Sequence, residues 1–214
     1  MRDSITILAD LDLHGADLAV RASKHLKPAG FELSIAPLEM AQHVRAREGT
    51  RHGLVLIDRD LGTTLDALER MNSQQRARTA VVTTLEHPLA LDAIAAKHVA
   101  HVTQVDLSAE APASSSELLH AALCALLRVR SYRWASGAPY MELRVIQQLA
   151  RRHDRQRSAS ELCISAATVS AHLSNTLARF ALKDVDTLRA LLQHRTTTPL
   201  PTPAESHARA AHPY

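Results

Sequence analysis

The stretch ISAATVSAHLSNTLARFAL, residues 164–182, decides how this chain is read. Val169, His172, Leu173, Thr176, Leu177 and Phe180 recur at three- and four-residue spacing, the period of a helix with one buried side. Ser165 stands just ahead, with a hydroxyl suited to accept a backbone N–H at an N-cap. Working outward, Asp154 can cap an earlier helix that buries Ala159 and Leu162, and Cys163-Ile164-Ser165 makes the turn between the two. Before them, Leu143, Val145, Ile146, Leu149 and Ala150 form another helical stripe. After them, Asp184 can cap a helix carrying Val185, Leu188, Leu191 and Leu192. Two helices joined by a short turn fit a helix-turn-helix, whose second helix enters the major groove.

Charge follows the same division. Residues 1–127 hold 12 Lys+Arg against 16 Asp+Glu, net −4, whereas residues 128–195 hold 12 against 5, net +7. The asymmetry points to a basic module behind an acidic one, and a basic module suits a polyanionic partner.

The first half alternates apolar runs with amphipathic stretches. Strands are expected near residues 5–9, 31–36, 53–57, 80–82 and 101–105, and helices over 15–27, 38–47, 65–71, from Pro88, and over 116–130. Five such βα units with non-alternating strands argue for a parallel sheet covered on both faces, with ligand groups gathered at the carboxyl ends of the strands. Those ends carry Asp10, Asp12, Asp58 and Thr83. Carboxylates placed there can hold Mg²⁺ through oxygen and accept a phosphoryl group. The domains are expected at 1–130 and 140–195, with a linker at 131–139 and a disordered tail at 196–214.

The arrangement of ELRVIQQLA (142–150), thirteen residues, then ISAATVSAHLSNTLARFAL resembles the DNA-binding domain of LuxR/NarL-type response regulators. The family pattern appears as Ile164-Ser165, Thr168-Val169, His172 and Arg179-Phe180. GLVLIDRDLG (53–62) with the acids after strand one resembles a receiver domain, of an atypical and degenerate kind. The resemblance implies an α/β fold, a flavodoxin-like (βα)5 receiver-like domain followed by an all-α helix-turn-helix domain of four helices. It implies Asp58 as phosphoacceptor and Thr83 near the hydroxyl position. The departures are equally plain: Asp10-Leu11-Asp12 replaces two adjacent acids, Gln104 stands where a lysine is usual, and His101 replaces the switch aromatic. The family's lysine after Thr-Val is Ser170.

On the second helix, Ser170, Ala171, Ser174 and Asn175 share the outer face with Arg179. Asn suits adenine edges, and Ser and Ala suit hydroxyl and methyl contacts. Thr168 and Arg179 are expected on phosphates, and Arg151, Arg152, Arg155 and Arg157 either supply further phosphate contacts or form a solvated face. His172 is expected on the buried side. The family's last helix pairs two DNA-binding domains; the competing account of its stripe is packing within its own domain.

The reading is thus a cytoplasmic DNA-binding transcription regulator acting as a homodimer on a short palindromic duplex, with a sensor kinase as a further partner and no membrane association. A non-DNA-binding adaptor is the alternative. An enzyme of phosphatase type lacks a positioned base or Gly-rich phosphate loop. No run approaches the roughly 20 apolar residues a membrane span requires. Cys124 and Cys163 are expected as buried thiols of a reducing compartment. His98 and His101 lack a neighbouring cysteine or carboxylate in sequence, so no zinc site is expected.

Overall fold

The computed structural model describes residues 3–9, 20, 23–24, 26–45, 51–57, 60–104, 113–128 and 136–193. Strands β1 (Asp3–Ala9), β2 (Glu32–Pro37), β3 (Arg51–Ile57), β4 (Thr79–Thr83) and β5 (His101–Gln104) form one sheet in the order β2-β1-β3-β4-β5. Every pairing is parallel. This is the doubly wound order of flavodoxin-like domains. The inner strands β1, β3 and β4 are buried on both faces, whereas the edge strand β2 is exposed or half-buried along its length. Ile5, Ile7, Val55, Ile57, Ala80 and Val82 point one way, into a layer with Leu118, Ala121, Ala122, Ala125 and Leu126. Leu8, Leu54, Leu56, Val81 and Val102 point the other way.

The helices described after β3, β4 and β5 are α1 (Leu61–Arg70), the single turn α2 (Ser73–Arg76), α3 (Pro88–Ala95) and α4 (Ala113–Leu127). Pro88 sits at the start of α3, where its missing N–H costs nothing. The helix expected over 38–47 is instead a 3-10 turn, Leu38–His43. Only Leu38 and Ala41 are buried there, and their three-residue spacing suits a 3-10 helix. The helix expected over 15–27 falls largely outside the described residues.

Residues 140–193 form helices joined by short turns: α5 (Tyr140–Ala150), α6 (Arg155–Leu162), α7 (Ala166–Arg179) and α8 (Val185–Gln193). Their core is not separate from that of the first half. Leu143, Val145, Ile146, Leu149, Val169, Leu173 and Leu188 belong to one apolar cluster with Leu61, Leu65, Leu89, Ala90 and Ile94. Helix α5 lies in the seam, against α1 and α3 on one side and α6, α7 and α8 on the other. That is why it is buried almost all round, including Gln147 and Gln148.

Polar bonds fix the seam. The Gln147 side-chain amide donates to the Ala93 carbonyl at 2.7 Å. The backbone N–H of Ser136 donates to Asp92 at 2.7 Å, and the Ser136 hydroxyl donates to the same carboxylate oxygen. Arg151 reaches Asp66 at 2.5 Å and Glu69 at 2.7 Å, and Lys97 joins Glu69 at 2.6 Å. Burial works against the Glu69 charge, but Lys97 and Arg151 outweigh it and hold the carboxyl below its ordinary range. Arg151, expected among the phosphate contacts, is therefore spent on the first domain. His87 caps α3, its Nδ1 accepting the Leu89 N–H at 3.2 Å, and meets Phe180 edge-on with ring centroids 5.2 Å apart. Burial pushes its pKa down.

Of the two accounts of the α8 stripe, packing within the chain is the one observed: Leu188, Leu191 and Leu192 are buried in its own core. One further expectation is corrected. Cys163 is exposed rather than buried, because it occupies the left-handed turn after α6 (φ 54°), which turns its side chain outward.

Candidate nucleic-acid interface

The α6–turn–α7 unit is built by consecutive caps. Asp154 accepts the Arg157 N–H at 2.7 Å and so starts α6. At its end the Cys163 N–H donates to the Ser160 carbonyl at 3.1 Å and the Ile164 N–H to the Ala159 carbonyl at 3.0 Å. This double closure is a Schellman motif with a non-glycine residue in the left-handed position. Two residues later Ser165 accepts the Thr168 N–H at 3.0 Å and starts α7. The chain thus passes from one helix to the next within three residues, with hydrogen bonds closing the end of α6 and the start of α7.

Helix α7 seats Val169, Leu173 and Thr176 in the core, and the Thr176 hydroxyl donates to its own helix at the His172 carbonyl. Rotated away from them, Thr168, Ala171, Ser174, Asn175, Ala178 and Arg179 are exposed. Ser170 is half-buried at the edge of this face, its hydroxyl donating to the Ala166 carbonyl at 3.1 Å. His172 is half-buried as well. Arg152, Arg155 and Arg157 are exposed around the start of α6. Arg179 is partly engaged: its guanidinium lies 3.4 Å from Glu142 on α5, whose carboxylate is buried. Sequence periodicity could not show that engagement, since Glu142 is 37 positions upstream.

At the other candidate site the structure describes one residue. Asp10, Asp12 and Asp58 lie outside the described residues. Thr83 is buried at the carboxyl end of β4, its hydroxyl accepting the Leu85 N–H at 3.0 Å. Gln104 pairs with it in register on β5. Asp60, two residues beyond Asp58, caps α1, accepting the Thr63 N–H at 2.9 Å.

No protein-family model matches this chain, and no curated protein matches it. Solved structures do. RcsB from Salmonella enterica serovar Typhimurium, bound to the promoter rprA in the presence of the phosphomimetic BeF3-, matches with a TM-score of 0.51 at 13% identity, over 89% of this chain and 98% of that one. Another structure of the Salmonella typhimurium RcsB response regulator gives 0.49 at 16% identity, over 90% and 98%. Full-length FixJ from B. japonicum gives 0.41 at 15%, over 89% and 96%. Among the described residues no helix is long and apolar enough to cross a membrane. The chain has the fold that RcsB represents, a receiver-like α/β domain followed by a helix-turn-helix domain.

Proposed function

We propose that this chain is a cytoplasmic, DNA-binding transcription regulator of the LuxR/NarL response-regulator type, acting through α7 as a homodimer on a short, roughly palindromic duplex. One observation carries the reading. A capped helix of 14 residues is held by its apolar side while Thr168, Ala171, Ser174 and Asn175 stand bare on the other, beside exposed arginines. Asn175 reads adenine edges, Ala171 and Ser174 make methyl and hydroxyl contacts, and Arg152, Arg155 and Arg157 bind phosphates. The domain seam leaves this face open, so undocking is not required for a duplex to reach it. Pairing of two copies has to use surface other than the α8 stripe; Leu123 and Leu127 on α4 are large apolar side chains that point outward.

Gel shifts against genomic fragments, followed by selection of the bound sequences, test the proposal. Asn175→Ala is expected to relax the selected sequence, and failure to retain any duplex would favour the adaptor reading. Arg179→Ala alone leaves the Glu142 carboxylate buried without its countercharge, which costs stability. The pair Arg179→Ala with Glu142→Gln separates that loss from lost phosphate contact. Asp58 is the candidate phosphoacceptor, with Asp10 and Asp12 as candidate Mg²⁺ ligands and a sensor kinase as the partner that would supply phosphate. Mg²⁺-dependent phosphate incorporation from a small phosphodonor, abolished by Asp58→Ala, tests that part.

A further inference from the structure

Folding assembles a donor set that separation along the chain concealed. His101 opens β5, while His120 and Cys124 lie one turn apart on α4, which packs against β5. One ligand atom from each, two imidazole nitrogens and the thiol sulfur, all fall within 4.8 Å of one another. The Cys124 Sγ and His120 Nε2 are 3.5 Å apart. The two imidazoles meet edge-on with centroids 5.1 Å apart. Zinc takes nitrogen at about 2.1 Å and sulfur at about 2.3 Å, so two such ligands on a tetrahedral ion stand about 3.6 Å apart. His120 and Cys124 are already at that separation. Closing the remaining gap is within reach of the His120 ring, which is exposed and has room to turn.

We propose that His101, His120 and Cys124 bind a borderline-soft divalent cation of the zinc class. The donor chemistry selects the ion: two imidazoles and a thiolate suit zinc, whereas Mg²⁺ and Ca²⁺ require oxygen. The setting suits retention, because His101 and Cys124 are buried while His120 gives access from solvent. Three protein ligands leave a fourth position for water or an exogenous ligand. The bound ion ties the edge strand β5 to α4, which already pack against each other.

The experiment uses the full-length, metal-free protein with Co²⁺ as a spectroscopic probe and Zn²⁺ as competitor. The expected result is one tightly bound Co²⁺ per chain, a sulfur-to-cobalt charge-transfer band with tetrahedral ligand-field bands, and displacement by Zn²⁺. Cys124→Ser removes the charge-transfer band. His120→Asn, a surface change that does not threaten folding, weakens Co²⁺ binding roughly tenfold or more. Cys163→Ser leaves the spectrum unchanged. The proposal is overturned if no charge-transfer band forms, if Cys163→Ser rather than Cys124→Ser removes it, or if His120→Asn binds Co²⁺ as tightly as the parent.

Discussion

Replacing Gly62 by alanine tests the seam between the two halves at its closest point. A Cβ at that position would lie 2.6 Å from the Ala150 carbonyl oxygen and 3.2 Å from Asp60 Oδ1. The first of these is backbone, in the last turn of α5, so no side chain can swing aside. Gly62 itself is in the first turn of α1, and both helices are held by their cores. What yields is the distance between them. Overpacking of this kind costs about 1–3 kcal/mol. Alanine in place of glycine in a helix returns about 1 kcal/mol. Global stability is therefore expected to fall by as much as about 2 kcal/mol, while the seam carries the full strain. Hydrogen exchange at the last turn of α5 and the first turn of α1 should accelerate by roughly 5- to 100-fold, at about 1.4 kcal/mol per factor of ten. Duplex affinity should be unchanged, since the α7 face is already open. A more stable Gly62→Ala protein with unaltered exchange would refute the close docking described above.

Ala181 ends α7 in the left-handed region at φ 51°. That conformation costs a residue with a Cβ about 1–2 kcal/mol, against about 0.4–1 kcal/mol of extra unfolded-chain entropy for glycine. Ala181→Gly should therefore stabilise by about 0.5–1 kcal/mol, seen as a rise in Tm; a fall contradicts the cap. His87 concerns pH. Its folded pKa lies below the unfolded value of about 6.5, so the unfolded chain binds more protons as pH falls. Its contribution is complete above that value and lost on acidification, when Nδ1 gains a proton and can no longer accept the Leu89 N–H. His87→Asn keeps a cap acceptor and does not titrate. Thermal melts between pH 7.5 and 5, about the span in which histidine changes charge, should show a smaller acid-induced loss in that variant. An identical loss in both proteins sinks the assignment.

The sheet was legible because buried parallel strands leave unbroken apolar runs such as 53–57, and the helix-turn-helix because capping and period coincide at Asp154, Ser165 and Asp184. The α7 outer face was legible for the same reason, since rotation about a helix is set by spacing alone. What one sequence withholds is the partner across space. Nothing along the chain links Arg151 to Asp66, Gln147 to Ala93 or Arg179 to Glu142, because those contacts arise only when separate elements dock. His101, His120 and Cys124 were hidden in the same way, with the nearest histidine in sequence, His98, pointing to solvent instead. The 38–43 segment shows a different limit: its length and polarity fit a helix, but two buried side chains three apart support only a 3-10 turn.

The most direct test of the α7 assignment is the salt dependence of binding to a selected duplex, measured by anisotropy for the parent chain and for Asn175→Ala. With Arg152, Arg155 and Arg157 of each of two copies on phosphates, about six counterions are released, and log K should fall against log salt with a slope of roughly −5. Asn175→Ala should keep that slope while losing about 1–3 kcal/mol of preference for the selected over a scrambled sequence. A flat salt response, or an Asn175→Ala protein that discriminates as well as the parent, would mean that this helix does not read DNA.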